Sequence, residues 1–296
     1  MQFFDERERQ DGTFTQVSAG QQGTLAYKSR GAIHRLIYNM LGGLMAEHFS
    51  EFRVKLNNST FFNVDGEFLK ARQLFTTGID PDEEKALIID FQEPNADVLA
   101  SRFRTSLPVS QVRLPGFIEQ MDVEVNFAGD APETIDLDPR SIHADNVVLR
   151  GANGQEQFSP AGDVRTIESF PVVIRNGTVT LNQFTEGGIN SLKQIVRRVW
   201  FKMPESKFEK IEIRDDSEVR SDISIPVLVR DQESAGLFPL EDWTVIDPVL
   251  DRDKRGYILG AFTNGFNVNL EMKDLTPEEI QQGMTVYVEY DGRMPQ

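Results

Sequence analysis

The chain has 296 residues, of which 39% are hydrophobic and 26% are charged, and its formal net charge is −16 at pH 7. That length suits two domains of ordinary size, and the composition is that of a globular protein with a substantial core. A body this acidic repels nucleic acid phosphates, which argues against direct genome binding. The absence of cysteine excludes disulfides and cysteine-bound metal sites.

Residues 1–18 are predicted to form an N-terminal arm. MQFF is apolar, DERERQ is charged, and Gly12 interrupts any helix early. This start is too charged for a secretory signal peptide, and no apolar run in the sequence reaches the roughly 20 residues of a membrane-spanning helix. Two interpretations stay open for the arm: a frayed terminus, or an ordered segment that docks on a neighbouring subunit.

Residues 19–140 are predicted to form a first domain of short strands. Residues 24–40 fit either a helix or strands, and residues 44–49 fit a short helix. Turns are predicted at Asn57-Asn58 and Asp65-Gly66, and loops at Leu107-Pro108 and Leu114-Pro115, because proline cannot donate to a central ladder. The clear strand patterns lie at residues 52–56, 60–64, 86–91 and 121–127.

Residues 141–166 are predicted to be a linker, with one strand at 146–149, and residues 167–296 a second domain. In that domain an Asn176-Gly177 turn predicts a hairpin of residues 170–174 and 178–181. Pro226 places a strand at 223–229 on a sheet edge. Thr276 and Glu279 form a capping box for a helix at 275–283. Further strands are predicted at residues 195–203, 211–215, 257–262, 266–270 and 284–290.

The two halves repeat short phrases in the same order. FSEFRVKLNNS at residues 49–59 corresponds to FEKIEIRDDS at 208–217, ALIIDF to YILGAF, and the Met-led strand MDVEVNF to MTVYVEY. Chance reuse of alternating patterns is the alternative, but agreement in both order and spacing favours a duplication. The predicted fold is therefore all-β, with two tandem eight-stranded jelly-roll β-sandwiches (a double jelly roll) and a few short helices.

Three segments in the first half and one in the second carry a family resemblance. The first-half segments are GAIHRLIYNMLGG, FRVKLNNSTFFNVDG and ALIIDFQEP, and the second-half segment is FTNGFNVNLEMKDLTPEEIQQGMTVYVEYDGRMP. In pattern and spacing they resemble the major capsid proteins of corticoviruses, which are tailless, membrane-containing bacteriophages of the double jelly-roll lineage. The resemblance covers most of residues 20–294 and includes no invariant catalytic signature.

The resemblance implies a structural major capsid protein rather than an enzyme. It implies homotrimers whose six similar sandwiches tile as a pseudo-hexagon in an icosahedral virion shell over an internal membrane. It also implies neighbouring capsomers, a vertex penton protein, and inner membrane proteins or lipid as partners, and synthesis in the cytoplasm of a bacterial host. A doubled sandwich suits such a role, since three two-sandwich chains approximate six-fold symmetry.

Catalytic motifs are absent from the sequence. His34, His48 and His143 lack metal-ligand spacing and are expected to be surface or structural residues. No P-loop, dinucleotide-binding or nucleophile-elbow motif occurs. Nucleophilic and phosphate-binding enzymes are therefore not predicted.

Pairs of aspartates are the candidate calcium ligands. Asp136 with Asp138 and Asp215 with Asp216 offer the kind of oxygen ligands that calcium takes from loops. Bound calcium is implied for relatives by the resemblance, but no family motif carries it onto these positions, and none has EF-hand spacing. Solvated loop charge is the alternative that the sequence favours for both pairs, and for Asp251 with Asp253. No other cofactor is predicted.

The remaining candidates concern contacts between subunits. Arg197-Arg198, Lys207 and Lys210 are predicted to meet acidic loops of a neighbouring subunit, giving registration rather than strength. Both tryptophans, at 200 and 243, are predicted in the core or at a subunit interface rather than on a sugar-stacking platform. Two other functions stay open: a carbohydrate-binding or spike-like β-sandwich, and a hydrolase with two convergent carboxylates.

Overall fold

The computed structural model of the chain describes residues 6–14, 18–27, 31–91, 106–109, 118–144, 148–150, 156–158, 164–184, 193–215, 218–247, 256–262 and 265–292. The chain forms two compact units. The first comprises Met1–Leu74, Ile79–Arg165 and Gln296, and the second comprises Phe75–Gly78 and Thr166–Pro295.

The first unit is built from two runs of antiparallel strands. One run has the order β1-β9-β3-β6, and β7 also pairs with β3; the other has the order β2-β8-β4-β5. The strands are β1 (Glu6–Gln10), β2 (Gln22–Tyr27), β3 (Gly31–Leu41), β4 (Phe49–Leu56), β5 (Ser59–Val64), β6 (Ala86–Asp90), β7 (Leu107–Val109), β8 (Met121–Phe127) and β9 (Asp136–Ala144). The helices are α1 (Gly66–Thr77), α2 (Pro81–Glu84) and a 3₁₀ turn (Ala46–His48). A short pair, β10 (Val148–Arg150) and β11 (Glu156–Phe158), follows.

The second unit repeats this plan. Its runs are β12-β20-β14-β17, with β18 also paired to β14, and β13-β19-β15-β16. The strands are β12 (Val164–Val172), β13 (Gly177–Leu181), β14 (Ile195–Phe201), β15 (Phe208–Asp215), β16 (Glu218–Ile223), β17 (Thr244–Ile246), β18 (Tyr257–Ile258), β19 (Phe266–Met272) and β20 (Met284–Gly292). Helices α3 (Ile225–Ser234) and α4 (Pro277–Gln282) and 3₁₀ turns at Glu205–Lys207 and Leu259–Ala261 complete it.

Strand for strand, the two units share one topology. Each strand of the first unit has a counterpart in the second with equivalent pairing: β1 with β12, β2 with β13, β3 with β14, β4 with β15, β5 with β16, β6 with β17, β7 with β18, β8 with β19, and β9 with β20. Eight strands in two four-strand runs with this order make a jelly roll. The prediction of an all-β double jelly roll is confirmed.

The sandwich interiors explain why these strands form. Along β4 and β15 every second side chain is buried, and the two strands show the same burial pattern over all eight positions. In the second unit a cluster of apolar side chains is buried, with Phe201, Val268 and Leu270 among them. Inward apolar residues at a period of two leave the opposite face free for polar contacts, as the sequence pattern requires.

Two correspondences between the halves are wrong in detail. The strand MDVEVNF is β8, which pairs with β4; the strand that pairs with β15 in the same way is FNVNLEM, β19, and not MTVYVEY. MTVYVEY is β20, the counterpart of β9. The segment YILGAF begins as the short β18 and continues as a 3₁₀ turn, so the counterpart of β6 is β17. The comparison of the two halves paired these segments wrongly because strands that are not counterparts have similar sequence patterns.

The helices α1 and α3 replace features that were predicted differently from the sequence. Asp65-Gly66 is not a simple turn, because α1 begins at Gly66 and Asp65 Oδ1 accepts a hydrogen bond from Phe68 N at 2.8 Å, which caps the helix. The predicted edge strand at 223–229 is wrong over most of its length, because α3 begins at Ile225. Pro226 lies in the first turn of α3. Backbone N–H groups in the first turn of a helix have no intrahelical acceptor, so the missing N–H of proline costs no hydrogen bond there.

The predicted hairpin around Asn176-Gly177 is also wrong. β12 neighbours β20 while β13 pairs with β19, so the turn connects two different sheets. Asn176 Oδ1 instead accepts a hydrogen bond from Leu275 N at 3.0 Å, and Gly177 has φ +95°. The Asn-Gly signal therefore marks a reversal of the chain without strand pairing.

Of the other local predictions, some are wrong and one is confirmed. Residues 107–109 form β7, paired with β3, rather than a loop, while Pro115 lies outside the described residues. Within the predicted arm, β1 pairs with β9, and strands also occur within the predicted linker at 141–166. The predicted helix at 275–283 is confirmed as α4: Thr276 accepts a hydrogen bond from Glu279 N, and Gly283 ends the helix with φ +75°.

Candidate assembly surface

A block made of a strand and the helix that follows it occurs once in each unit. This block forms the main candidate surface for contacts with other subunits. Phe49 corresponds to Phe208, Ser59 to Glu218, and Gly66 to Ile225; the separation is 159 residues each time. The block therefore repeats without insertion from the 3₁₀ turn through two strands into a helix. We call β5 with α1 the first strand–helix block and β16 with α3 the second.

A buried glutamine holds each helix to the following strand. In the first unit Gln73 Nε2 donates to Ala86 O at 3.1 Å, and Gln73 Oε1 accepts from Ile88 N at 2.7 Å. In the second, Gln232 Nε2 donates to Val245 O at 2.6 Å. Gln73 and Gln232 also stand 159 residues apart. Because a buried amide must find partners, the glutamine fixes the position of the helix in both units.

The two blocks differ in their exposure. Phe68 on α1 is 0% exposed, whereas Val227, at the equivalent place on α3, is 42% exposed. β5 buries Phe61, Phe62 and Val64, but β16 buries none of its side chains. The second strand–helix block is therefore an open counterpart of a surface that is buried in the first unit.

The open block carries charges of both signs. Arg220 on β16 contacts Asp215 at 2.9 Å and Glu218 at 3.4 Å. Lys210 donates hydrogen bonds to the Glu212 and Asp222 carboxylates, and these bonds raise the pKa of Lys210. Exposed pairs of this kind contribute under about 1 kcal/mol each, so they act on orientation more than on stability.

The first pair of calcium candidates lies on β9. Asp136 is exposed, whereas Asp138 accepts hydrogen bonds from Gln10, Asn39 and Arg140. Burial alone would raise the pKa of Asp138, but the hydrogen bonds, led by that of Arg140, lower it. A cation at Asp138 would have to displace donors that already satisfy the carboxylate.

The second pair is only partly described. Asp215 is buried and accepts from Arg220, and Asp216 lies outside the described residues, as do Asp251 and Asp253. Among the residues that the structure describes, no group of three or more His, Asp or Glu side chains could hold a metal ion. Calcium binding therefore stays a prediction.

All three histidines are buried inside the first unit. His34 Nδ1 lies 2.7 Å from Ser106 Oγ, and His48 Nδ1 accepts from Met45 N at 3.0 Å. His143 is 5% exposed on β9. His34 lies on β3 and His143 on the neighbouring strand β9, whereas His48 lies in the 3₁₀ turn.

Arg198 belongs to a buried cluster rather than to an exposed contact. Its Nε donates to Asp247 Oδ2 at 2.6 Å, and its Nη1 lies 3.8 Å from Glu289 Oε2. Trp200 Nε1 donates to Glu289 Oε1 at 3.0 Å. The prediction that Arg198 meets a neighbouring subunit is wrong, because the second unit itself supplies the partners of its guanidinium. Arg197 is likewise buried.

The other predicted contact residues also have partners in the chain. Lys207 Nζ donates to Glu279 Oε2 and to Asp274 O, both at 2.9 Å, and Lys210 Nζ lies 2.6 Å from Glu212 Oε1. Trp200 and Trp243 are both buried, with ring centroids 6.4 Å apart. A sugar-stacking platform needs exposed rings, so these tryptophans do not form one.

Family comparison decides what kind of protein carries these two jelly rolls. Residues 9–145 match the family described as viral coat protein P2 N-terminal domain, and residues 164–293 match the viral coat protein P2 C-terminal domain. The chain belongs to the viral coat protein P2 family. No curated protein matches it. Membership in this coat protein family makes the chain a structural component of a virion and confirms the prediction that it is not an enzyme.

Solved structures of viral proteins show a similar fold. The major capsid protein P2 of bacteriophage PM2 has a TM-score of 0.75 at 12% identity, covering 97% of both chains. The STIV major capsid protein has a TM-score of 0.64 at 11% identity, covering 98% of this chain and 97% of that one. PBCV-1 VP54 has a TM-score of 0.60 at 8% identity, covering 98% and 94%. At these identities the likeness concerns the fold alone.

Within the described ranges, no helix has both the length and the apolar character to cross a membrane.

The feature that sequence reasoning missed is the second strand–helix block. Its signal was present, because Ser224 followed by Ile-Pro fits a helix start.

Proposed function

We propose that the protein is the major capsid protein of a tailless, membrane-containing bacteriophage and forms homotrimers. The observation that supports this most directly is the doubled jelly roll with matching topology in both units. Three such chains supply six similar sandwiches, and a ring of six tiles a surface as a pseudo-hexagon. An icosahedral shell of these trimers would enclose an internal membrane.

The proposal includes partners and a place of assembly. Neighbouring trimers meet along their flanks, a penton protein fills the vertices, and inner membrane proteins or lipid lie beneath the shell. The protein is made in the cytoplasm of a bacterial host and ends in the virion. Its net charge of −16 supports a shell that does not bind the genome directly.

Mass measurement in solution tests the trimer. Analytical ultracentrifugation of the purified chain at micromolar concentration should give three times the chain mass of 33.6 kDa. A monomer under these conditions would refute the trimer. A complex of another size that is stable on dilution would also refute it.

Particle composition tests the internal membrane. Virions purified from an infected host should contain this chain as the most abundant protein, and extraction should yield lipid in a stoichiometric amount. Detergent should remove that lipid and leave trimers of the chain. Particles that contain the chain but yield no lipid would refute the membrane while leaving the coat function intact.

A further inference from the structure

Helix α1 is divided between the two units. The second unit comprises the long stretch Thr166–Pro295 and the short stretch Phe75–Gly78, and the short stretch contains the end of α1. The preceding residues of α1 belong to the first unit. A single helix thus begins in one jelly roll and ends as part of the other.

The first unit holds the beginning of α1 in place. Asp65 Oδ1 caps the helix by accepting from Phe68 N, and the Phe68 ring is fully buried. Gln73 bonds to Ala86 O and Ile88 N of the first unit. Because the helix is continuous from Gln73 to Phe75, the first unit sets the position of the Phe75 ring.

A ring cluster of the second unit includes Phe75. The centroids of the Phe75 and Trp200 rings lie 5.1 Å apart at an interplanar angle of 71°, an edge-to-face arrangement that aromatic pairs favour. The Trp243 centroid lies 6.4 Å from that of Trp200 and 5.7 Å from that of Tyr287. Phe75 and Trp200 are both 0% exposed. Without the end of α1, this cluster would lose a fully buried ring.

The backbone also joins the end of α1 to the second unit. Phe238 N donates to Phe75 O at 2.8 Å, so a carbonyl in the last turn of the helix gains a partner outside it. Gly78 has φ +70°, and a Cβ at this position would lie 2.8 Å from Phe238 Cζ. Glycine is therefore needed there both for the left-handed backbone and for the close approach of Phe238.

The equivalent position on α3 is different. Ser234 stands 159 residues after Phe75, as Gln232 stands after Gln73. The Ser234 side chain is exposed, and its Oγ donates to Asp231 O at 2.8 Å within α3. The buried ring at the end of the helix is thus a feature of α1, and it acts from the first jelly roll towards the second.

We propose that α1 makes the folded state of the second jelly roll depend on that of the first. Until the first unit positions α1, the second lacks the ring that packs on Trp200 and the carbonyl that accepts from Phe238 N. Both losses disfavour its native state. The N-terminal half is also synthesised first, so α1 can be in place before the second sandwich is complete.

Tryptophan fluorescence tests the dependence, because the chain has two tryptophans and both lie in the second unit. Val54→Ala leaves a small cavity at a fully buried residue of β4 in the first unit. In the otherwise unmodified chain it should lower the temperature of the fluorescence transition by roughly 5 °C. In a chain with Phe75→Ser the same substitution should lower it by less than half as much. No shift in the first chain, or equal shifts in the two, would overturn the proposal.

Two further variants and a change of concentration serve as controls. Ser234→Ala, at the equivalent position of α3, should leave the Val54→Ala shift unchanged, and loss of the shift there would overturn the proposal. Phe75→Leu keeps an apolar side chain without the ring; it should also reduce the shift, and it takes the place of Phe75→Ser if that variant does not fold. Each shift should be the same at two protein concentrations, because only coupling through association depends on concentration. A shift that changes with concentration would contradict the proposal.

Discussion

The first and second units share one topology but differ in what they leave open. β4 and β15 have the same burial at all eight positions, because both face a sandwich interior. The helices that follow, α1 and α3, differ at the same relative position, with Phe68 enclosed and Val227 exposed. The interior pattern is thus common to the two units, while the exposure of their outer surfaces differs.

Truncation of the equivalent helix positions should give the largest contrast. Phe68→Ala removes a fully enclosed ring and should lower the free energy of unfolding by about 3–5 kcal/mol. Val227→Ala removes two methyl groups from a half-open position and should change it by less than about 0.5 kcal/mol. Thermal unfolding at one fixed protein concentration measures both, since association shifts apparent stability. Equal losses would show that α3 is as enclosed as α1.

Loss of a buried ion pair on β14 should cost more stability than loss of a partly exposed ion pair on β3. Arg198→Ala removes the guanidinium that lies 2.6 Å from Asp247 and 3.8 Å from Glu289, both buried, and should cost at least about 3 kcal/mol. Arg35→Ala on β3 breaks the pair with Asp90, which is partly exposed, and should cost about 1 kcal/mol or less. Arg198→Met, which also removes the charge but keeps the volume, separates lost packing from stranded carboxylates. A small loss for Arg198→Ala would contradict the structural role of the cluster.

The two buried glutamines should differ by the number of their hydrogen bonds. Gln73→Ala removes the hydrogen-bond partner of Ala86 O and of Ile88 N. Each buried group left without a hydrogen bond should lower the free energy of unfolding by about 1–3 kcal/mol. Gln232→Ala strands Val245 O and should lie near the lower end of that range. Glutamate at either position is the control for shape, since it keeps the acceptor and loses the amide donor. Gln73→Ala should therefore lower the melting temperature more than Gln232→Ala.

Sequence reasoning found the sandwiches and missed the parts that distinguish them. Alternation predicted β4, β8 and β20, because an interior face imposes a period of two on its residues. The helices were missed because Asp65-Gly66 and Pro226 are also turn and edge-strand signals, and only the third dimension decides between these uses. Exposure of Val227 was beyond prediction, since the equivalent helix in the first unit has an enclosed residue there.

The charged partners of the candidate calcium ligands could not be predicted from the sequence either. Asp136 and Asp138 stand two residues apart in the sequence, which is compatible with a shared ion. The fold places Arg140 against Asp138 at 2.8 Å, so a cation is already present beside that carboxylate. Spacing along a strand identifies which side chains share a face, but it does not reveal which strand brings their partners.

A buried polar cluster in the first unit, with two tyrosines and an aspartate, gives the smallest predicted effect. Tyr27 and Tyr38 share a buried hydrogen bond between their hydroxyl oxygens at 2.8 Å, and burial raises the pKa of both. Nearby, the Asp11 carboxyl is buried, and its Oδ2 has no hydrogen-bond partner among the described residues. Burial raises the pKa of Asp11 above its ordinary 3.8, against the lowering effect of its polar and charged neighbours Ser141, Arg9 and His143.

A carboxyl whose pKa is higher in the folded state favours folding most below its ordinary pKa of 3.8, and this contribution is lost as the pH rises through the folded value. Asp11→Asn removes the charge that burial disfavours, so it should stabilise the protein by about 1 kcal/mol at pH 7. The gain should shrink towards zero as the pH falls below about 4, because Asp11 is then neutral as well. Melting curves between pH 3 and pH 7 measure this difference, and Asp130→Asn, at an exposed position, should show no such trend. A gain for Asp11→Asn that is constant over this range would mean that packing, and not the buried charge, sets the stability of this cluster.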